Sequence, residues 1–219
     1  QWAAGGGGDS YPVTLLTGHE ADWTSAGATP AGSTATITGG QVTVTQAAST
    51  SCDIVSGACA TDAVRAYRTL GAITLAEWSL RARIVSVDAY GLWQPALGVV
   101  VGTTWATTAA KYGLYFVSNA DTLTFYRWGA SGSSAGAAVI TNLRAGQGWV
   151  RIDGLGRTLT AYGGTGTGGA EPTSWTPIGT FTLTTAEPQP QQVVAFSTGS
   201  TGGSARSAVW DSVRLQAVE

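Results

Sequence analysis

The sequence predicts an all-β protein folded as an antiparallel two-sheet sandwich of jelly-roll type. Three observations carry that prediction. Through residues 78–162 apolar side chains recur at every second position, as in Leu80, Ala82 and Ile84 and again in Leu97, Val99 and Val101. That period puts them on one face of a pleated strand and sends Arg81 and Arg83 to the other. Gly, Asn, Asp and Ser fall between the runs, where the chain must turn sharply. No stretch repeats its apolar residues at the spacing of a helix. Short strands of this number pack most naturally as two sheets face to face.

Taken in order, residues 1–10 with Gly5 to Gly8 read as a flexible lead, and 11–219 as one domain. A first strand is expected at 11–16 and a loop at 18–23. Strands at 33–37 and 41–46 form a hairpin through Gly39-Gly40, a strong two-residue turn signal. A cysteine loop and a strand at 63–70 follow. The central ladder then runs 79–85, 96–101, 112–117, 122–128, 149–153 and 158–162. Residues 163–172 read as a Gly/Thr loop, 180–184 and 193–197 as strands, and 208–216 as the last. In that last strand Val209, Asp211, Val213 and Leu215 alternate against Trp210, Ser212 and Arg214. No repeat of 20–50 residues is visible, which disfavours a propeller or solenoid.

Charged residues make up only 11% of the 219-residue chain, against 43% hydrophobic and 31 glycines. Globular domains usually carry about a quarter charged. Such a hydroxyl-rich, low-charge surface suits an extracellular or virion-surface protein better than a cytosolic enzyme. The net charge of −2, with Lys111 the single lysine, argues against a nucleic-acid partner, which needs a basic stripe. No apolar run approaches the roughly 20 residues of a membrane-spanning helix, so no membrane insertion is expected. The chain begins at Gln1 rather than Met, which predicts processing or excision from a longer product. Cys52 and Cys59 enclose a short loop eased by Gly57. A disulfide is the expected pairing, with two free thiols as the alternative; zinc would need further ligands, and the single histidine, His19, is distant in sequence.

Several motifs carry chemistry only on paper. Residues 132–136 (GSSAG) match the nucleophile elbow, but they read as a Gly/Ser/Ala loop rather than a strand-to-helix turn, and no histidine follows Ser134. Residues 164–169 match a dinucleotide fingerprint, yet Glu171-Pro172 stands where the phosphate-binding helix should begin. A glycosidase needs two carboxylates beside the scissile bond. The nearest approach is Glu20 and Asp22 beside His19, in a loop where solvated charges are the expected reading. Asp88, Asp121 and Asp211 are candidate calcium ligands, but each is more often a turn or cap carboxylate, so no cofactor is expected and a structural calcium is the minority reading.

The aromatic residues point further. If Leu123 and Phe125 face the core, Thr124, Tyr126 and Trp128 face away from it. The same parity turns Tyr115, Trp149 and Arg151 outward. With Arg81 and Arg83 these residues compose an outer face of Arg, Tyr and Trp. It could stack sugar rings through their C–H surfaces, pack against a protein partner, or lie under the chain's own loops. Trp93 and Trp105, flanking the strand at 96–101, are further candidates.

The chain resembles the concanavalin A-like lectin/glucanase superfamily, especially its laminin-G-like jelly-roll modules, over residues 11–218. The carriers are Ala21-Asp22-Trp23 leading to GQVTV (40–44), the strand pair 78–85 and LGVVV (97–101), then YGLYF (112–116) and LTFYR (123–127). WVRIDG (149–154) before LTAY (159–162), and the closing WDSVRL (210–215), complete the pattern. Catalytic members carry acids at alternate positions of one strand, and this chain has none. Legume-type lectins hold calcium and sugar with Asp and Asn, and here the asparagines are only Asn119 and Asn142. The resemblance therefore implies a module that is not an enzyme, used for glycan binding, adhesion or particle assembly, and the outer face read from strand parity assigns glycan recognition to Arg81, Arg83, Tyr115, Tyr126, Trp128, Trp149 and Arg151. A structural assembly subunit of a phage tail, capsid decoration or extracellular filament, oligomeric and using the same face for protein contacts, is the alternative. A diverged glycosidase using Glu20 or Asp22 is the third reading.

Overall fold

The computed structural model describes residues 13–49, 52, 59–70, 77–90, 93–101, 105, 109–117, 121–129 and 132–216. The expected lead at 1–10, and Asn119, lie outside them. Among the described residues fifteen strands follow one another: β1 Val13–Thr14, β2 Thr24–Ala26, β3 Thr34–Thr38, β4 Gln41–Gln46, β5 Arg65–Thr69, β6 Glu77–Val87, β7 Trp93–Val101, β8 Lys111–Val117, β9 Thr122–Trp128, β10 Ser133–Val139, β11 Gly148–Leu155, β12 Thr158–Thr165, β13 Thr176–Thr182, β14 Pro190–Gly199 and β15 Arg206–Gln216. One helical turn, α1 Cys59–Asp62, precedes β5.

The strands form two antiparallel sheets. The first runs β13-β12-β11-β6-β15-β4-β3, with β1 beside β15; the second runs β10-β9-β8-β7-β14-β5-β2. This is a concanavalin A-like jelly roll. Between the sheets lies one continuous core, to which β6 gives Trp78, Leu80, Ala82 and Ile84, β7 gives Leu97, Val99 and Val101, and β9 gives Leu123 and Phe125. Burying each such leucine or phenylalanine contributes about 1.5–3 kcal/mol before entropy is counted. A polar thread ties the sheets together inside: Trp93 Nε1 donates to Ser197 Oγ at 2.5 Å, Ser197 to Gln46 Oε1 at 2.6 Å, and Gln46 Nε2 to the Gly199 carbonyl at 2.8 Å.

The expected hairpin is present, with Gly39 and Gly40 both at positive φ, the conformation its tight turn requires. Three expectations are corrected. Of residues 132–136, read as a loop, all but Gly132 belong to β10, where Ser134 Oγ accepts from the Gly136 backbone N–H. Its run of Ser, Gly and Ala lacks the bulky alternation that marks a strand. The small residues serve another end, because β10 and β13 meet where the two sheets close. A Cβ on Gly136 would lie 2.0 Å from the Ile178 carbonyl oxygen. Second, the strand expected at 180–184 is displaced to Thr176–Thr182. Third, the alternation along β15 breaks at Ser212, whose φ of 52° marks an extra residue between Asp211 and Arg214 in the pairing with β6. Trp210 and Val213 therefore both face the core, and Asp211 and Arg214 face outward.

Cys52 and Cys59 are joined as a disulfide. Thr198 Oγ1 and the Gly199 N–H both donate to the Cys52 carbonyl, at 2.5 and 2.8 Å, and fasten this loop to β14. The bond fits an extracellular setting, where thiols oxidise and stay oxidised. No described helix is long and apolar enough to cross a membrane.

Candidate functional site

The outward parity predicted for the arginines and aromatic residues holds, but they do not share a face. Tyr115 and Tyr126 stand on β8 and β9 with Trp128, on the outer side of the second sheet. Arg81, Arg83, Trp149 and Arg151 stand on β6 and β11, on the outer side of the first. The sandwich lies between the two groups, so no single ligand contacts both across either sheet. This is the main correction to the composite face.

On the first sheet the residues form registered rows. Arg151, Arg81 and Arg214 stand opposite one another on β11, β6 and β15, and Trp149, Arg83 and Asp211 make the next row. Like charges set opposite one another repel, and acids answer them. Arg81 Nη1 meets Glu171 Oε1 at 2.5 Å while Glu171 Oε2 pairs with Arg214. Arg83 Nε donates to Asp211 Oδ1 at 2.8 Å, and Arg151 Nε to Asp153 Oδ1 at 2.7 Å. Trp175 lies against both Arg81 and Arg151, and Tyr162 against Arg151. Arg81 is 6% exposed and Trp149 3%, so these side chains hold the segment carrying Glu171 and Trp175 onto the sheet. Glu171, Asp211 and Trp175 were missed as their partners because contacts this distant in sequence leave no local signal, whereas Asp153 stands two residues from Arg151 on the same strand.

The second sheet presents a different surface. Gly98 and Gly113 face one another on β7 and β8. A Cβ on Gly98 would come within 2.0 Å of the Tyr112 carbonyl oxygen, and one on Gly113 within 3.3 Å of the Trp128 ring. The strands approach closely there, and Trp128 lies over the bare backbone. Around it the rings interlock, with centroids 5.0 Å to Phe196, 4.9 Å to Tyr126 and 5.9 Å to Tyr115. Trp105 packs edge-on to Phe196 at 5.2 Å. Tyr67 and the disulfide join the same apolar cluster. Trp128 and Phe196 are buried, whereas Tyr67, Trp105, Tyr115 and Tyr126 are half-buried with surface to offer. The expectation that Trp128 is an exposed stacking ring is thus corrected: it supports its neighbours. Trp93 instead points into the core.

Two cations edge this aromatic surface. The Arg65 guanidinium lies 4.9 Å from the Trp105 ring centroid and the Lys111 ammonium 4.6 Å from it. Burial, and then the like charge of Arg65, lower the Lys111 pKa to about 8. Its ammonium donates to the Ala109 carbonyl at 3.0 Å.

A cavity of about 280 Å³ opens among Val101, Ala109, Ala110, Arg127, Thr184, Ala186, Glu187 and Pro188. Its acid, Glu187, is fully engaged. Oε1 accepts from the Tyr112 hydroxyl and Arg127, and Oε2 from the Thr184 N–H and hydroxyl. Burial pushes this carboxyl up, but the bonds from Thr184, Arg127 and Tyr112 outweigh it, and its pKa falls below the ordinary value. It is an anchor for the turn, unsuited to donating a proton at neutral pH.

The other candidate acids are placed apart. Asp22 pairs with Arg68 at 2.9 Å and with His19 at 3.2 Å, while Glu20 Oε1 accepts from the Gly40 N–H at 2.9 Å. Both hold loops in place. Asp88 Oδ2 accepts from the Ser207 N–H, Asp121 pairs with Arg144 and Asp211 with Arg83, so the candidate calcium ligands do not converge. Among the described residues no group of three metal-ligating side chains is present.

No family model and no curated protein matches the sequence. Solved structures do match the fold. The catalytic domain of an endo-1,3-β-glucanase (laminarinase) from Thermotoga petrophila shares 11% identity at a TM-score of 0.55, covering 90% of each chain. An endo-β-1,3-glucanase from Pyrococcus furiosus shares 13% at 0.56, covering 91% of this chain and 89% of that one. A protein of unknown function from Saccharomyces cerevisiae shares 13% at 0.56, covering 90% and 96%. At such identities the likeness is one of fold. It overturns the expectation of a non-enzyme, which was drawn from the superfamily resemblance. The solved structures sharing this sandwich nearly end to end include glucanases, so the fold gives no ground for excluding an enzyme.

Proposed function

We propose that this is a carbohydrate-active protein that receives a glycan on the outer face of its second sheet, with glycoside hydrolysis as its reaction class. The observation that carries the reading is the half-buried aromatic set Tyr67, Trp105, Tyr115 and Tyr126, held in place by Trp128 and Phe196. Flat rings offer the C–H faces of sugars a stacking surface, and the phenol and indole edges supply hydrogen bonds. Support also comes from the glucanases that share the fold. Hydrolysis needs two carboxylates beside the scissile bond. The strands of this sheet contain neither Asp nor Glu, so the acids of such a reaction would come from the connecting segments.

The test combines two assays on one panel of laminarin, xylan and polygalacturonate. Calorimetry reads binding, and release of reducing ends reads hydrolysis. Tyr115→Ala and Tyr126→Ala are expected to weaken binding at least tenfold with intact circular dichroism. Absence of both binding and product across the panel would refute the proposal.

A further inference from the structure

The cavity at the end of the second sheet is separate from the aromatic surface. It lies where β7 stops at Val101 and the chain returns through Ala109 and Ala110 into β8, closed by the segment joining β13 to β14. Arg127 reaches it from β9. Its partner across the strand pair is Tyr112, a core residue, so Arg127 points to the inner side of the sheet, away from Tyr126 and Trp128. The polar wall is held firmly. Arg127 Nε donates to the Tyr112 hydroxyl at 3.0 Å and Nη2 to Glu187 Oε1 at 3.1 Å. Glu187 accepts four bonds in all, about the full capacity of a carboxylate. What stays available is Arg127 Nη1, which has no acceptor among the described residues, and the lone pairs of Thr184 Oγ1. One carboxylate holds both residues, so this donor and this acceptor stand close together.

The remaining lining is short and apolar: Val101, Ala109, Ala110, Ala186 and Pro188. Among the described residues the charges that line the cavity are Arg127 and Glu187, paired with each other. Arg157 donates to the Leu183 and Glu187 carbonyls and does not line it. An anion would therefore meet the Glu187 carboxylate and find Arg127 already neutralised. At about 280 Å³ the space is just below the roughly 300–1,000 Å³ of pockets that hold drug-sized ligands, and admits one sugar ring. Taking the ligand class from the carbohydrate reading above, we infer that this cavity is a second sugar site, holding a single neutral pyranose. One of its hydroxyls accepts from Arg127 Nη1 and a neighbouring one donates to Thr184 Oγ1, while its C–H edge packs on Ala110, Ala186 and Pro188. Along β8, Ala110 and Tyr115 are about 17 Å apart at roughly 3.4 Å per residue. Two such sites on one protein grip a polysaccharide at two points, which strengthens binding without any new contact.

The experiment follows the backbone amides of the isotope-labelled protein by NMR during titration with methyl glucoside, methyl galactoside and methyl glucuronide. At least one neutral glycoside is expected to shift the amides of Ala110, Ala186 and Glu187 saturably, and the glucuronide to bind more weakly than the glucoside. Ala186→Trp fills the cavity from an exposed position and should weaken the neutral ligand at least tenfold. Cavity shifts that persist undiminished in Ala186→Trp, or a glucuronide that binds tighter than both neutral glycosides, would overturn the inference. So would the absence of cavity shifts with every neutral glycoside. Shifts at Tyr115 and Tyr126 in that case leave the glycan reading standing, so the two failures are told apart. If Ala186→Trp fails to fold, contacts between the sugar protons and the Ala110 and Ala186 methyls, read as intermolecular Overhauser effects in the unaltered protein, decide the question.

Discussion

The buried ammonium of Lys111 makes a quantitative demand on stability. Its residue is fully buried, and its pKa falls from an ordinary 10.5 to about 8. Between those two values the unfolded chain holds a proton on this group that the folded chain has released. Stability must therefore rise with pH across that window and be insensitive to this group below it. At roughly 1.4 kcal/mol for each tenfold change in proton affinity, the fall from 10.5 to about 8 sets a ceiling on the order of 3 kcal/mol. Partial access of solvent to the ammonium lowers it toward about 2 kcal/mol. Lys111→Met keeps the stem and removes the charge, and every other titrating group, Tyr112 included, is common to both proteins and cancels. Urea unfolding at pH 7, 8, 9 and 10, disulfide intact, gives both free energies by linear extrapolation. The unaltered protein should gain about 2–3 kcal/mol on Lys111→Met between pH 7 and 10. A difference that stays flat within about 0.5 kcal/mol would refute the account of Lys111 as a buried charge crowded by Arg65.

Other perturbations test the remaining geometry. Glu171→Gln removes the acid shared by Arg81 and Arg214 and leaves them in a row with Arg151; a loss of about 2–4 kcal/mol in urea unfolding is expected, and an unchanged midpoint would mean the arginine rows need no counterion. Trp128→Ala opens a cavity under Tyr115, Tyr126 and Phe196, so it should lower stability by about 3–5 kcal/mol, read as a fall in melting temperature before any ligand is added. Gly98→Ala places a methyl within 2.0 Å of a backbone oxygen across the β7–β8 pair, and should cost about 3 kcal/mol or prevent folding; a soluble variant with unchanged melting temperature would contradict the close approach. Replacing both Cys52 and Cys59 by Ser removes a short cross-link and should cost about 2–3 kcal/mol by loop closure, visible as a lower urea midpoint.

Much of the architecture was legible because it depends on neighbours in sequence. The period-two runs marked β6, β7, β8, β9, β11 and β12, and their parity told correctly which side chains leave the core. Gly39-Gly40 marked its hairpin, and the cysteines their bond. Where a strand lacked that signal it was missed: β10 is Ser, Gly and Ala up to its final Val139, and its small residues answer to β13, distant in sequence. Along β15 a single left-handed residue, Ser212, reversed the parity of everything after it, which no alternating pattern reveals.

The candidate site shows the same division. Parity is a property of one strand, and the sequence alone determined it, along with the fold class and the absence of acids from the strands that became the second sheet. Which sheet a strand joins is decided by distant partners. β6 and β7 are consecutive, yet β6 lies between β11 and β15 while β7 lies between β8 and β14. That assignment carried Arg81, Arg83, Trp149 and Arg151 to one outer face, beneath Glu171 and Trp175, and Tyr115, Tyr126 and Trp128 to the other. It also set Arg65, Trp105 and Lys111 together. Period two says only in or out, and a sandwich has two outsides.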